Sequence, residues 1–343
     1  MKALLLSQYR HLELTTLDVP SVGANDVLIR VKACGICGSD VHGFDGSTGR
    51  RIPPIVMGHE AAGVIESVGN NVTEFKKGDR VTFDSTIYCG HCFYCKRGEV
   101  NLCDRREVLG VSTPDFRRMG AFAEYVAVPQ HIVYRLPDAL PFAAAAMVEA
   151  VSVAVHAVAL TPVAMGSTAL VVGAGMIGCL VLQAARLAGC SRVIVVDLDD
   201  SRLQMASGLG ATDLINSRNA DAVAAVRNLT GGRGADVALE CVGASVTVVT
   251  AIEGTRKGGT VTLVGNVTPT VEIPLQSVVS RQIRLQGSAA SSGEYPVCMD
   301  LLARGAVRVD TLLTATAPLD EGAAWFERLY NREPNLLKVV LEP

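Results

Sequence analysis

The sequence is poor in the features that mark a specialised partner. Its 31 basic and 34 acidic residues leave a formal net charge of −3, so it has no basic field of the kind a nucleic-acid surface needs. It has no run of like charge, no internal repeat and no low-complexity tract, which argues against an interaction tail or a stacked-repeat architecture. The apolar stretch Ala3-Leu4-Leu5-Leu6 is too short for a secretion signal. An uninterrupted apolar run of membrane length is missing as well. Thr168–Gly189 comes nearest, but Gly173, Gly175 and Gly178 interrupt it and Arg186 lies inside it. A buried strand leading into a buried helix has the same hydropathy. Neither a nucleic-acid nor a membrane partner is expected.

What is present is a chain of 343 residues, 49% of them hydrophobic, enough for about two domains with sizeable cores. Ten cysteines without a secretion signal read as thiols in a reducing compartment, the cytoplasm, where clustered thiols more often bind metal than pair as disulfides.

Up to about Pro141 the chain is strand-and-turn material, with β-forming runs such as Val27–Val31 and Glu124–Val128 punctuated by Gly69-Asn70-Asn71 and Lys77-Gly78-Asp79. An alanine-rich helical texture follows. From Thr168, short apolar strands alternate with helical stretches, with strands expected near Ala169–Val172, Val193–Val196, Asp213–Ile215, Val237–Leu239, Thr260–Val264 and Ile283–Leu285. Six such strands joined by crossover helices describe an α/β, doubly wound parallel sheet. The expected division is a catalytic domain from 1–150 and 288–343, and a dinucleotide-binding domain from 151–287.

The first of these strands runs into Gly173-Ala174-Gly175-Met176-Ile177-Gly178. In this pattern Gly173 makes the tight turn, Gly175 lets the backbone approach a pyrophosphate, and Gly178 lets the helix pack on the sheet. The helix start at Met176 and Ile177 offers N–H groups and a positive dipole end to the phosphates. Asp197 closes the next strand, where an acidic side chain accepts from the ribose hydroxyls of NAD and repels the 2′-phosphate of NADP. A helix-capping aspartate is the plainer reading of the same residue, and Arg202 is a nearby group that can accept a 2′-phosphate.

Cys89, Cys92, Cys95 and Cys103 fall in one short loop. Four thiolates suit tetrahedral zinc and leave no open position, the mark of a structural site. A second cluster has to be assembled from scattered residues: Cys34 and Cys37, the pair His59-Glu60, and Glu149 in an otherwise apolar helix start. Spacing alone leaves open a redox pair at Cys34/Cys37 and a helix-end charge at Glu149.

Taken together, Gly58-His59-Glu60 with Gly63, Gly69 and Val72, the Cys34–His42 loop, the cysteine lobe and the nucleotide turn make the chain resemble the zinc-containing medium-chain alcohol dehydrogenases. The polyol branch, with its galactitol-1-phosphate, sorbitol, butanediol and threonine dehydrogenases, is nearest. The resemblance spans essentially the whole chain. It implies a β-rich, GroES-like catalytic domain beside a Rossmann domain, two zinc ions per chain, NAD, a small-molecule alcohol substrate, and a homo-oligomer, dimer or tetramer. It assigns Cys37 and His59 to a catalytic zinc, with Glu60 and Glu149 supplying the carboxylate side directly or through water. It makes Asp40 the orienting partner of His59 and leaves Cys34 as a buried thiol. Ser39 and His42 become a proton relay, and the backbone of Val264 and Gly265 lies beside the nicotinamide.

Two departures disfavour sorbitol itself: Gly43 stands where the animal-type enzymes carry a substrate-binding tyrosine, and Ala290 where they carry an arginine. A phosphorylated substrate would need cations such as Arg50, Arg51, Arg117 and Arg118, for which a solvated surface role is the plainer reading. The expected reaction is therefore hydride transfer from a secondary alcohol of a polyol or sugar alcohol to NAD, with threonine- or butanediol-type activity as the alternative. A non-catalytic zinc protein of the same fold would be expected to have dropped ligands, whereas Cys37, His59, Glu60 and Glu149 are all present.

Overall fold

The computed structural model describes residues 1–112 and 117–343. These form two compact units, Met1–Glu149 with Ser292–Pro343, and Ala150–Ser291.

The first unit is built on a seven-stranded sheet whose central strand is Asp26–Gly35. That strand pairs antiparallel with Glu60–Val68, Tyr125–Pro129 and Lys338–Glu342. Its register sets Gly35 opposite Glu60 on one side and Val340 on the other, so the strand's end brings together chain segments from both termini. A Cβ at Gly35 would stand 2.5 Å from Glu60 Oε2 and 3.0 Å from Lys338 Cε, which is why the position has no side chain.

Beneath the sheet lies an apolar core. In it Phe326 packs against Phe44 and Phe122, with ring centroids 5.8 and 5.6 Å apart. Edge and tilted contacts of this kind add about 0.5–1.5 kcal/mol each to the burial term. Phe44 immediately follows the short helix Gly38–Gly43, so this packing anchors the helix that carries Ser39 and His42.

The second unit is a six-stranded sheet, parallel throughout, ordered in space as Asp213–Asn216, Arg192–Asp197, Thr168–Val172, Ala235–Glu240, Thr255–Leu263, Arg284–Gly287. This is the doubly wound arrangement that the alternating pattern predicts. Its inner strands read as continuous apolar runs because Leu170, Val172, Ile194, Val196 and Ala238 are all buried, as a sheet covered on both faces requires.

The uncharged stretch from Thr168 divides into the strand Thr168–Val172 and the twelve-residue helix Met176–Leu187, which is too short to span a bilayer. Among the described residues one run, Phe142–Ala159, is long and apolar enough to cross a membrane, but most of it is buried inside the fold.

Gly178 fixes how the first helix meets the sheet, since a Cβ there would stand 1.8 Å from the Gly173 carbonyl oxygen. Gly178→Ala should lower stability by about 1–3 kcal/mol, the usual cost of overpacking, and weaken dinucleotide binding. Urea unfolding and fluorescence titration would measure both. An unshifted midpoint with unchanged binding would show that the helix can move aside at no cost.

Candidate functional site

The helix Gly38–Gly43 starts at Cys37, where side chain and backbone are tied together. The Ser39 N–H donates to Cys37 Sγ at 3.4 Å, and the Cys37 N–H donates to Asp40 Oδ2 at 3.4 Å. This capping pattern turns Cys37 toward the strand Glu60–Val68. Cys37 Sγ, a His59 ring nitrogen and a Glu60 oxygen all lie within 4.8 Å of one another. Ser39 and His42 are exposed, one helical turn apart on one face of the helix, while Asp40 between them is fully buried.

His59 Nδ1 lies 3.5 Å from Asp40 Oδ1 and makes no closer hydrogen bond. Facing that carboxylate, Nδ1 is placed to carry a proton, which would leave Nε2 as the nitrogen for a metal. Burial alone would lower the His59 pKa, but the Asp40 carboxylate and Cys37 raise it well above the ordinary value. Burial likewise opposes ionisation of Asp40, yet His59 and Arg51 hold its carboxyl well below the usual range. Arg51 differs from the expectation of a solvated surface arginine or a phosphate-binding cation. It is 3% exposed and donates to Asp40 Oδ1 from Nε at 3.1 Å and from Nη2 at 2.9 Å. The internal carboxylate draws it in.

Glu149 opens the helix Val148–Ala159 and accepts from Ser85 Oγ at 3.4 Å. Burial pushes its carboxyl up to about 7, His59 opposes the rise and Glu60 adds to it. Glu60 is ion-paired with Lys338, which is itself 1% exposed and also donates to the Ile36 carbonyl at 3.0 Å. Lys338 has no counterpart among the residues singled out from the sequence. The only local signal for it is a lysine opening the apolar strand Lys338–Glu342.

The donor set suits a divalent cation. With Cys37 as thiolate, Cys37, Asp40 and Glu60 face two buried cations, Arg51 and Lys338, and Glu149, raised to about 7, adds a further negative charge when it ionises. The excess of negative charge is what a zinc ion would neutralise. Cys34 is fully buried within its strand, and burial raises its thiol well above the ordinary value.

The sulfurs of Cys89, Cys92, Cys95 and Cys103 also lie within 4.8 Å of one another. Backbone N–H groups of Cys89 and Arg105 each donate to Cys103 Sγ at 3.3 Å. Hydrogen bonds from the backbone of Cys95 and Asp104 lower the Cys92 thiol to about 6, whereas burial and then the neighbouring Cys92 push Cys95 up to about 12. Four sulfurs this close cannot all ionise without a cation between them. His91 takes no part, because its Nδ1 sits 2.7 Å from the Cys89 carbonyl oxygen.

In the second unit, Gly173 adopts φ +98° and a Cβ at Gly175 would meet nothing within 4 Å, which leaves the open space a pyrophosphate needs. No side chain caps the helix that begins at Met176 and Ile177, so its first N–H groups face that space unclaimed by a side chain. Asp197 accepts from the backbone of Ala174 at 2.6 Å, Leu198 at 2.7 Å and Asp199 at 3.0 Å. These bonds hold its carboxylate beside the glycine turn. Arg202 lies exposed in the first turn of the helix Asp200–Gly208. Val264 and Gly265 both donate to the Glu240 carbonyl, at 2.8 and 2.9 Å. A Cβ on Gly265 would stand 2.2 Å from the Val242 backbone, so the position requires glycine.

The chain is similar to known proteins along its whole length. The model of the alcohol dehydrogenase GroES-like domain matches residues 23–138, and that of the zinc-binding dehydrogenases matches residues 177–304. The chain is 36% identical to the sorbitol dehydrogenase of Bacillus subtilis, over 100% of this chain and 97% of that one. It is 34% identical to the D-arabitol-phosphate dehydrogenase of Enterococcus avium, over 97% and 94%. A Sinorhizobium meliloti 1021 protein solved with NADP bound superposes with a TM-score of 0.91 at 32% identity, over 100% and 99% of the two chains.

The Glu60–Lys338 pair yields a direct test. Removing one partner of a buried pair typically costs about 3–5 kcal/mol, while replacing both with neutral groups is often tolerated. Lys338→Met should therefore lower the urea midpoint markedly, and the added change Glu60→Gln should recover most of the loss. A Lys338→Met protein as stable as the parent would show that the ammonium is not what compensates Glu60 in the interior.

Proposed function

The chain belongs to the zinc-binding alcohol dehydrogenase family, and on that premise we propose that it oxidises a secondary alcohol of a polyol or sugar alcohol and passes the hydride to NAD. The observation that carries this reading is the meeting of Cys37, His59 and Glu60 at the base of the short helix bearing the exposed Ser39 and His42. Cys37 and His59 would hold zinc together with a carboxylate from Glu60 or Glu149. Zinc bound there supplies Lewis acidity, which lowers a water pKa from 15.7 to about 7 and acts in the same sense on an alcohol.

The side chains around the cluster divide the remaining work. Asp40 keeps His59 in the orientation its role as ligand needs. The Ser39 hydroxyl takes up the alcohol proton, and His42, a turn further on and exposed, delivers it to solvent. Asp197 accepts from the ribose hydroxyls, and the glycine turn admits the pyrophosphate. The arginines disfavour a phosphorylated substrate: Arg51 is internal and Arg118 is paired with Glu107 at 3.1 Å, which leaves Arg50 and Arg117 as the exposed members of that set. Cys89, Cys92, Cys95 and Cys103 would hold a second zinc that supports the lobe's fold.

Two measurements test the reading. Dialysis against a chelator should take the protein from two zinc ions per chain to one, because the four-thiolate site has no exchangeable position. The one-zinc form should stay folded, bind NADH and be inactive until zinc is restored. Full activity at one zinc per chain would remove the metal from the chemistry. For the cofactor, kcat/KM should favour NAD over NADP with any active alcohol, and Asp197→Ser should narrow the gap by removing the repulsion. An equal or reversed ratio in the parent would sink the preference.

A further inference from the structure

We infer that Arg51 is a positioning residue for the alcohol chemistry. One buried guanidinium holds both Ser39 Oγ and the Asp40 carboxylate behind His59, and so sets the direction of the proton relay and the grip of the imidazole together. The inference rests on Ser39 as the relay hydroxyl and His59 as a zinc ligand.

Arg51 lies between two exposed residues, Arg50 and Ile52, yet is itself buried. Besides its two bonds to Asp40 Oδ1 it donates from Nη2 to Ser39 Oγ at 3.2 Å. The helix makes room for it. A Cβ at Gly43 would stand 2.3 Å from Arg51 Cγ, so the arginine stem lies against the one residue of that turn without a side chain.

A serine hydroxyl has one proton and two lone pairs, and a guanidinium has donors only. With Nη2 occupying one lone pair, the Ser39 proton cannot point back at Arg51. The second lone pair and the O–H are left to the exposed side. There the alcohol proton can be received on the lone pair as the hydroxyl's own proton moves on to His42 or water, and Ser39 ends neutral. Arg51 thereby polarises the relay in one sense without entering it. Its other bonds act on the metal side: Asp40 Oδ1 is shared between Arg51 and His59 Nδ1, so loss of the guanidinium would release the carboxylate that orients the imidazole. Lysine can supply the charge but not the fixed, planar array of donors.

The test uses Arg51→Met and Arg51→Lys, each alone and combined with Ser39→Ala. It measures kcat and KM at saturating zinc, NADH binding, and the rate of zinc transfer to a chromogenic chelator. Arg51→Met should lower kcat at least tenfold with NADH binding unchanged. It should also speed zinc loss about ten- to a hundredfold, the range typical when the partner orienting a metal-binding histidine is lost. Combined with Ser39→Ala, the loss in kcat should fall at least fivefold short of the product of the single losses. Arg51→Lys should keep zinc at near the parent rate while kcat stays low.

Unchanged kcat and zinc loss in Arg51→Met overturn the inference, as do losses that multiply fully with those of Ser39→Ala. If Ser39→Ala alone leaves turnover intact, the relay reading fails separately, and the zinc-transfer rate still decides whether Arg51 holds Asp40 and His59. Should Arg51→Met not fold, Arg51→Lys carries the test: normal zinc retention with reduced turnover supports the inference, and normal turnover overturns it.

Discussion

Two buried carboxylates, Asp40 and Glu60, and a half-buried third, Glu149, share one region of the first unit, and the rest of the site is arranged around the cost of keeping them there. An unpaired buried charge is far more expensive than a buried pair. Each carboxylate is therefore met differently: Asp40 by Arg51, Glu60 by Lys338, and Glu149 by a hydroxyl and a pKa raised to about 7. The two cations need space, and in both places a glycine provides it. Gly35 clears the way for the Glu60–Lys338 pair and Gly43 for Arg51. Neither glycine has a positive φ, so the constraint at both is volume rather than backbone conformation.

This also explains how much was legible in the sequence. The parallel sheet could be read because each of its inner strands is buried on both faces and prints a continuous apolar run. The nucleotide turn and the cysteine lobe could be read because each is local, its residues lying within 14 positions of one another. The resemblance of the His59-Glu60 and Cys37 segments to a known family then supplied the pairing that spacing alone left open. What stayed hidden was the charge compensation. Lys338 meets Glu60 across 278 positions, and only the register of three strands brings them together. Arg51 is close to Asp40 in sequence, but an arginine beside another arginine and before two prolines reads as surface. Its burial is set by the carboxylate it neutralises, which no periodicity reveals. Glu240 is a similar case in the second unit: a buried carboxylate that accepts the N–H groups of Val242 and Gly243 and shapes the loop against Gly265.

The same charge accounting bears on the proposed substrate. In the proposed holo state the thiolate, Asp40, Glu60, the two buried cations and a divalent metal leave one positive charge, which Glu149, raised to about 7, offsets when it ionises. A neutral, hydroxyl-rich alcohol can approach such a site without introducing an uncompensated charge. A phosphate near it could draw on neither buried cation, because both are already committed to internal carboxylates at hydrogen-bonding distance. The field at the cluster is then set largely by charges paired inside the fold, and fixed charges of this kind assist a reaction without reorganising. The pairing of the guanidinium and the ammonium with internal carboxylates is therefore part of the proposed chemistry alongside the ligands themselves.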